Sequence, residues 1–135
     1  MIVVDASVAA AWFFNDEVSE YAAFAMRRIA QESAAVPAIF PVEVGNAILI
    51  GGRRGRLSSE ETRKAVDQLA ELPIVVQRQS LSIGDDLALA EKHSLSVYDA
   101  QYLALAMGQR VDLFTLDQRL AAAAEAENVL GRVPG

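Results

Sequence analysis

Short apolar segments and helical segments alternate along the whole chain, and this alternation limits the possible fold more than any other feature. The first apolar segment, residues 1–4, is typical of a short, fully buried strand. Strands separated by helices pair in parallel through right-handed crossovers. The sequence therefore predicts a three-layer α/β/α sandwich. We expect strands at 1–4, 34–39, 74–76, 111–114 and 129–130, helices at 8–14, 19–31, 41–51, 58–72, 82–92, 96–108 and 116–127, and a helix cap at Asn15.

The composition predicts one domain over residues 1–135. With 53% hydrophobic residues the chain can bury one good core but not two, and it shows no internal repeat or linker. No apolar run approaches the roughly 20 residues that span a bilayer, and the first residues do not have the pattern of a signal peptide. The lack of cysteine excludes disulfides and thiol catalysis. We therefore expect a cytoplasmic protein without membrane attachment.

Four acidic residues lie where an apolar stretch gives way to the start of a helix. They are Asp5, Glu43, Asp99 and Asp117. In an open α/β sheet, ligands bind in the crevice at the carboxyl ends of the strands, where the strand order reverses. Carboxylates gathered there repel one another unless a cation neutralises them. The four acids therefore predict a site for a divalent metal ion.

Each of these acids also has a purely structural explanation. Acidic side chains cap helices and are favoured in the first helical turn by the helix dipole. Residues 96–99 match a capping box, and Asp117 could cap the last helix. Other first-turn acids, such as Asp85, follow polar, serine-rich loops instead of buried strands. A carboxylate at the end of a buried strand is costly without a partner, so position separates the candidates from ordinary caps.

The residue types indicate which metal such a site would bind. Carboxylates are hard oxygen ligands, and one histidine without any cysteine argues against zinc. We expect Mg²⁺ or Mn²⁺, as one ion or two, and water activated for attack on phosphorus, which leaves 5′-phosphate and 3′-hydroxyl products. The net charge of −6 is unusual for a protein that binds nucleic acid. Two bound divalent ions would reduce it to about −2.

Four segments resemble the signature segments of PIN-domain ribonucleases, most closely the small VapC toxins of prokaryotic toxin–antitoxin pairs. They are IVVDAS (2–7), PVEVGNAI (41–48), VYDAQYLALA (97–106) and FTLD (114–117). The resemblance implies a parallel five-stranded sheet, with the first and last acids on neighbouring strands and the other two near helix N-termini. It also implies that Ser7, Asn46 and Thr115 support the acidic site. An RNA substrate, a cognate antitoxin and a homodimer are further implications.

Two clusters suggest contact surfaces. An arginine cluster follows a Gly-Gly break, and it consists of Arg53, Arg54 and Arg56. It could contact RNA phosphates or form a solvated helix end. An aromatic cluster ends the first helix, and it consists of Trp12, Phe13 and Phe14. These rings cannot all face one core from one helix, so part of the cluster should be exposed to a partner such as the antitoxin, unless the core is locally thicker.

Three other classes of protein compete with a nuclease. A receiver-type phosphotransfer protein expects adjacent acids beside the first strand, and a haloacid-dehalogenase-like phosphatase expects Asp-x-Asp. Asp5 is single and is followed by Ala6 and Ser7, which fits neither pattern. A catalytically inactive PIN-like binding module is the third alternative, and an activity assay separates it from an enzyme.

Overall fold

The computed structural model describes residues 1–14, 19–78 and 82–135. Strands and helices alternate in these ranges, as the sequence predicts. The strands are β1 (Ile2–Val4), β2 (Ala34–Val36), β3 (Ile74–Val76) and β4 (Leu113–Phe114). The helices are α1 (Ala6–Phe13), α2 (Glu20–Glu32), α3 (Ile39–Arg53), α4 (Ser59–Glu71), α5 (Ile83–His93), α6 (Val97–Gln109) and α7 (Gln118–Ala126). The predicted cap at Asn15 lies outside the described residues.

The strands form one parallel sheet in the order β3-β2-β1-β4. β1 is an inner strand, in which Val3 pairs with Ala35 on one side and with Leu113 on the other. The predicted fifth strand is reduced to one parallel bridge between Leu130 and Leu113. Because β4 is only two residues long, it has few backbone groups with which a further strand could pair. Within the described ranges the sheet therefore has four strands and not the expected five.

Helices cover both faces of this sheet. The chain moves in one direction from β1 to β3, through α1–α2 and then α3–α4, before it crosses back past β1 to β4 through α5–α6. Right-handed crossovers that run in opposite directions place their helices on opposite faces. Accordingly, α1 packs against α2 and α3, whereas α6 packs against α5 and α7. The three-layer α/β/α architecture is confirmed.

The strands supply the centre of the hydrophobic core. All side chains of β1, β2 and β4 are inaccessible to solvent, as expected for a parallel sheet that is covered on both faces. β3 differs because it lies at the edge of the sheet, and its residues Val75 and Val76 are 55% and 47% exposed. β1, β2 and β4 are thus covered on both faces of the sheet.

Two helices begin earlier than the sequence predicts. β2 ends before Pro37, which has no N–H to continue the strand, and α3 begins at Ile39 instead of Pro41. α1 begins directly after Asp5, whose side chain caps it. These shifts place Glu43 in the second turn of α3. None of the helices in the described part of the chain is long and apolar enough to cross a membrane.

Candidate active site

The strand order reverses between β1 and β4, and a crevice forms there at the carboxyl end of the sheet. β1 leads into α1 on one face, and β4 leads into α7 on the opposite face. The two segments diverge just beyond the sheet, which is the arrangement that creates ligand-binding crevices in open α/β sheets. Asp5 lies at the end of the first segment and Asp117 at the end of the second.

Asp5 lies at the bottom of the crevice, with only 4% of its surface exposed. Its Oδ1 accepts a hydrogen bond from Ser7 Oγ at 2.6 Å and one from the backbone N–H of Val8 at 3.2 Å, and the second of these caps α1. Its Oδ2 accepts a hydrogen bond from Thr115 Oγ1. Asp5 is therefore a helix cap and a buried carboxylate of the crevice at the same time.

The hydroxyls of Ser7 and Thr115 join the two diverging segments. Ser7 Oγ accepts a hydrogen bond from the N–H of Leu116 at 2.9 Å, and Thr115 Oγ1 accepts one from the N–H of Asp117 at 3.0 Å. Each hydroxyl has a single proton, and each donates that proton to Asp5. Both side chains thus fix the direction of the Asp5 carboxylate relative to the β4–α7 segment.

Asp99 and Asp117 reach the crevice from the starts of α6 and α7. Ser96 Oγ accepts a hydrogen bond from the N–H of Asp99 at 3.0 Å, so that Ser96 caps α6. Asp117 is itself the cap of α7, and its Oδ1 accepts a hydrogen bond from the N–H of Leu120 at 2.9 Å. Its Oδ2 has no hydrogen bond within the described residues. Capping therefore leaves at least one carboxylate oxygen of each residue for a ligand.

Glu43 comes from α3, on the other side of the sheet from α6. Its Oε1 accepts a hydrogen bond from the hydroxyl of Tyr102 on α6 at 2.6 Å. Tyr102 is 1% exposed. This contact connects helices from the two outer layers, so it must pass beyond the ends of the strands.

The four carboxylates are close enough for their charges to interact. Burial raises the pKa of Asp5 to about 6 against the opposing effect of its hydrogen bonds, and the charge of Asp99 adds to the rise. Burial also raises the pKa of Asp99, and the charges of Asp117 and Glu43 raise it further. Burial and the hydrogen bond to Glu43 raise the pKa of Tyr102, which keeps its hydroxyl protonated. The crevice thus concentrates negative charge.

The chemistry of this donor set suits a hard divalent cation. The donors are carboxylate oxygens, and the neighbouring charges that act on Asp99 are both negative. A cation between them would relieve this repulsion. Among the described residues, no three acidic or histidine side chains are already close enough to hold one ion. Rotation of side chains would therefore have to accompany binding.

The other predicted polar residues lie at the surface, away from the hydrogen bonds that join the strand ends. Asn46 is exposed on α3, nearly one turn beyond Glu43. Arg53 and Arg54 are exposed at the end of the same helix. At 1.5 Å per residue, Arg53 is about 15 Å from Glu43 along the helix axis. Arg53 and Arg54 therefore lie at the opposite end of α3 from Glu43.

The aromatic cluster is divided between core and surface. α1 ends at Phe13, and Phe14 continues in an extended conformation, so both rings reach the core. The ring of Phe14 lies so close to Gly51 that a Cβ there would approach it to 2.6 Å. The Arg56 guanidinium lies 4.1 Å from the centre of the same ring. Trp12 is partly exposed, and its indole N–H donates to a backbone carbonyl of α2 at 2.8 Å. Of the cluster, Phe13 and Phe14 belong to the core.

Two tyrosines at the crevice are absent from the candidates that the sequence supplies. One is Tyr102, and the other is Tyr21, which donates to the carbonyl of Gly131 at 2.7 Å and packs against Phe114 with 5.2 Å between the ring centres. A tyrosine in the otherwise apolar residues 102–106 is a usable signal, because a buried hydroxyl needs a hydrogen-bond partner. The sequence does not reveal which partner that is.

Fold and site together define an α/β protein with an acidic crevice, and comparison with known proteins shows its family. The family model for the PIN domain matches residues 2–126. Ribonuclease VapC3 of Pyrobaculum aerophilum is 38% identical over 122 residues, which cover 89% of this chain and 92% of that one. VapC ribonuclease Mb0985 of Mycobacterium bovis is 32% identical over 99% of both chains. The crystal structure of PAE2754 from Pyrobaculum aerophilum matches with a TM-score of 0.65 at 25% identity, over 90% of this chain and 78% of that one.

The chain belongs to the PIN-domain family, among its VapC-type ribonucleases. The resemblance carried by the four sequence segments is thereby confirmed. Each of these segments contains one of the four interacting acids, which explains why short motifs far apart in the chain are informative together.

Proposed function

We propose that this protein is a divalent-metal-dependent endoribonuclease and the toxin of a toxin–antitoxin pair, with residues 1–135 forming one PIN-like domain. One observation carries the proposal: four acidic side chains from different elements interact in one crevice. The relatives named above are called ribonucleases, which supports RNA as the substrate. The proposed metal-binding and catalytic residues are Asp5, Glu43, Asp99 and Asp117.

The acids and hydroxyls of the crevice would have different roles in binding the metal. Asp5 is held by hydrogen bonds to both of its oxygens, so it supplies a fixed donor at the bottom of the crevice. Asp99 and Asp117 present their carboxylates at the starts of two helices, where they are less buried. Ser7 and Thr115 would orient Asp5 through the hydrogen bonds that they donate to it. Mg²⁺ or Mn²⁺, when bound, lowers the pKa of water and stabilises negative charge on the phosphate.

The test is cleavage of structured RNA with and without Mn²⁺ or Mg²⁺. Asp5→Asn, Asp99→Asn, Asp117→Asn and Glu43→Gln should each lower the rate by about 100-fold or more, because removing a ligand of a catalytic metal abolishes most of its effect. Asp85→Asn is the matched control, since Asp85 is also an acid in the first turn of a helix but is exposed on α5. Full activity in excess chelator would contradict the metal mechanism.

The products distinguish the chemistry further. Attack by water leaves a 5′-phosphate and a 3′-hydroxyl, whereas attack by the RNA 2′-hydroxyl would leave a cyclic phosphate. End-labelling of the fragments separates the two results. If the wild-type protein binds RNA but cleaves none at any metal concentration, the alternative of an inactive PIN-like binding module is correct.

An antitoxin partner would bind an apolar surface, and Trp12 is the candidate anchor. Its N–H is already bonded to α2, so its exposed part is apolar ring surface of the kind that anchors an amphipathic segment. Trp12→Ala should weaken antitoxin binding by about 2 kcal/mol or more, with nuclease activity retained. Calorimetric titration of the antitoxin measures this loss, and unchanged affinity would place the binding site elsewhere.

RNA binding by a chain of net charge −6 also needs an explanation. A homodimer could supply it, because two sites lining one groove would share basic residues from both chains. Arg53, Arg54 and Arg56 are the candidate phosphate contacts. Sedimentation analysis measures the oligomeric state, and a strictly monomeric active enzyme would contradict the shared groove. We propose that the protein acts in the cytoplasm and without attachment to a membrane.

A further inference from the structure

The buried hydroxyl of Tyr102 is a polar group at the crevice that the proposed metal site does not use. Tyr102 lies on α6, three residues after Asp99, so the two side chains share one face of the helix. Tyr102 is among the largest fully buried side chains of the core. Its ring fills space that a phenylalanine would fill equally well, so packing alone does not account for the hydroxyl.

The hydroxyl has one partner, and that partner is an acid of the site. It donates to Oε1 of Glu43 at 2.6 Å, which is a short distance typical of a hydrogen bond to a carboxylate. The other carboxylate oxygen, Oε2, has no hydrogen bond within the described residues. Tyr102 therefore occupies one oxygen of Glu43 and leaves the other available.

Within the described residues, no backbone N–H holds the Glu43 carboxylate, unlike those of two other acids of the site. Asp5 and Asp117 are each held by a backbone N–H at the start of a helix. Glu43 lies in the second turn of α3, where backbone N–H groups are used by the helix itself, and its longer side chain has one more rotatable bond. Fixing a long side chain costs conformational entropy. A hydrogen bond that already fixes the side chain before the metal binds lowers this cost at the binding step.

We propose that Tyr102 is a positioning residue that holds Glu43 with Oε2 directed to the bound metal ion. This inference rests on the proposed function, since it assumes that Glu43 is a ligand. The hydroxyl acts from α6 on a side chain of α3, so it also sets the separation of Glu43 from Asp99. Residues that orient metal ligands in this way typically change metal affinity or activity by roughly 10- to 100-fold when they are removed.

The test is Tyr102→Phe, which keeps the ring and removes only the hydroxyl. Mn²⁺ binding to the full-length protein without RNA is measured by isothermal titration calorimetry, and cleavage is measured as a function of Mn²⁺ concentration. We expect Mn²⁺ affinity to fall by about tenfold, with a matching rise in the Mn²⁺ concentration that gives half-maximal cleavage. Tyr98→Phe is the matched control, because it removes the same group one turn earlier from a side chain that is 59% exposed.

A double-mutant comparison separates positioning from a merely structural role. In a Glu43→Gln background, Tyr102→Phe should change Mn²⁺ affinity by less than about twofold, because the residue it positions is no longer a carboxylate ligand. Wild-type Mn²⁺ affinity and cleavage in Tyr102→Phe would overturn the inference. An equal loss of affinity in both backgrounds would overturn it too, since the hydroxyl would then act through the fold.

Glu43→Gln tests the proposed function separately from the role of Tyr102. If Glu43→Gln abolishes cleavage while Tyr102→Phe changes nothing, the inference fails and the proposed function stands. If Glu43→Gln leaves both Mn²⁺ affinity and cleavage unchanged, the assignment of Glu43 fails, and the inference fails with it.

Discussion

Asp5→Asn should stabilise the metal-free protein at neutral pH. The pKa of Asp5 is about 6 in the folded protein, against an ordinary value of 3.8. Between these two values the folded state retains a proton that the unfolded chain releases, so the free energy of unfolding falls as the pH rises. Asp5→Asn removes this loss of stability, because an amide does not ionise and needs no neutralising cation.

The magnitude follows from the shift and from the hydrogen bonds. A shift of about two pKa units corresponds to about 3 kcal/mol above pH 6. The amide can keep the bonds from Ser7 and Val8 at its oxygen, but it cannot accept the proton of Thr115 at its nitrogen. Leaving that proton unpaired costs about 1 kcal/mol. The net gain is about 2 kcal/mol, or roughly 6 °C in melting temperature for a chain of this size.

The assay is urea and thermal unfolding from about pH 4 to pH 8 in chelator, compared between wild type and Asp5→Asn. The free energy of unfolding of Asp5→Asn minus that of wild type should be close to zero or slightly negative near pH 4, and it should grow as the pH approaches 6. Asp85→Asn, an exposed acid in the first turn of α5, should show no such trend. Added Mn²⁺ should raise the stability of wild type more than that of Asp5→Asn. A difference that does not vary with pH would refute the reasoning.

Two further predictions concern packing and RNA contact. Gly131→Ala should lower the free energy of unfolding by about 1–3 kcal/mol in urea, because the new Cβ would lie 2.5 Å from the Phe114 ring. Gly108→Ala is the control and should not destabilise the protein, because a Cβ there meets open space. Equal stability of the two variants would contradict this packing. The pair Arg53→Ala and Arg54→Ala should reduce the slope of log affinity for single-stranded RNA against log salt concentration by about 0.7 per lost phosphate contact, and an unchanged slope would exclude these contacts.

Local patterns predicted the parts of the structure that local physics controls. The apolar run at 1–4 and the acid after it define a strand and the helix that follows, because Asp5 both ends the apolar run and caps α1. Strands alternating with helices leave few topologies, so the layered architecture could be inferred before the structure. The approach of Asp5 and Asp117 could also be inferred, since the parallel strands that they follow end at one edge of the sheet. The assignment of all four acids to one metal site stays a prediction.

Features that depend on distant partners could not be predicted. Phe14 is buried because α1 ends one residue earlier than expected and because Gly51 of α3 leaves room for its ring. The fifth strand is missing in the described residues because β4 is short, which the apolar run at 111–114 does not reveal. The contact between Tyr102 and Glu43 joins residues 59 positions apart. Each depends on the separation of two elements, which no single segment encodes.

The exposed edge strand β3 bears on how this protein can be handled. An edge strand presents unpaired backbone groups to other molecules, and proteins commonly guard such edges with lysine or proline. β3 has the sequence Ile-Val-Val, with neither residue, and its two valines are about half exposed. Self-association of the isolated chain would therefore begin at β3, well away from the acidic crevice. A lysine introduced at Val75 would improve solubility without touching the chemistry, which makes β3 the first place to engineer.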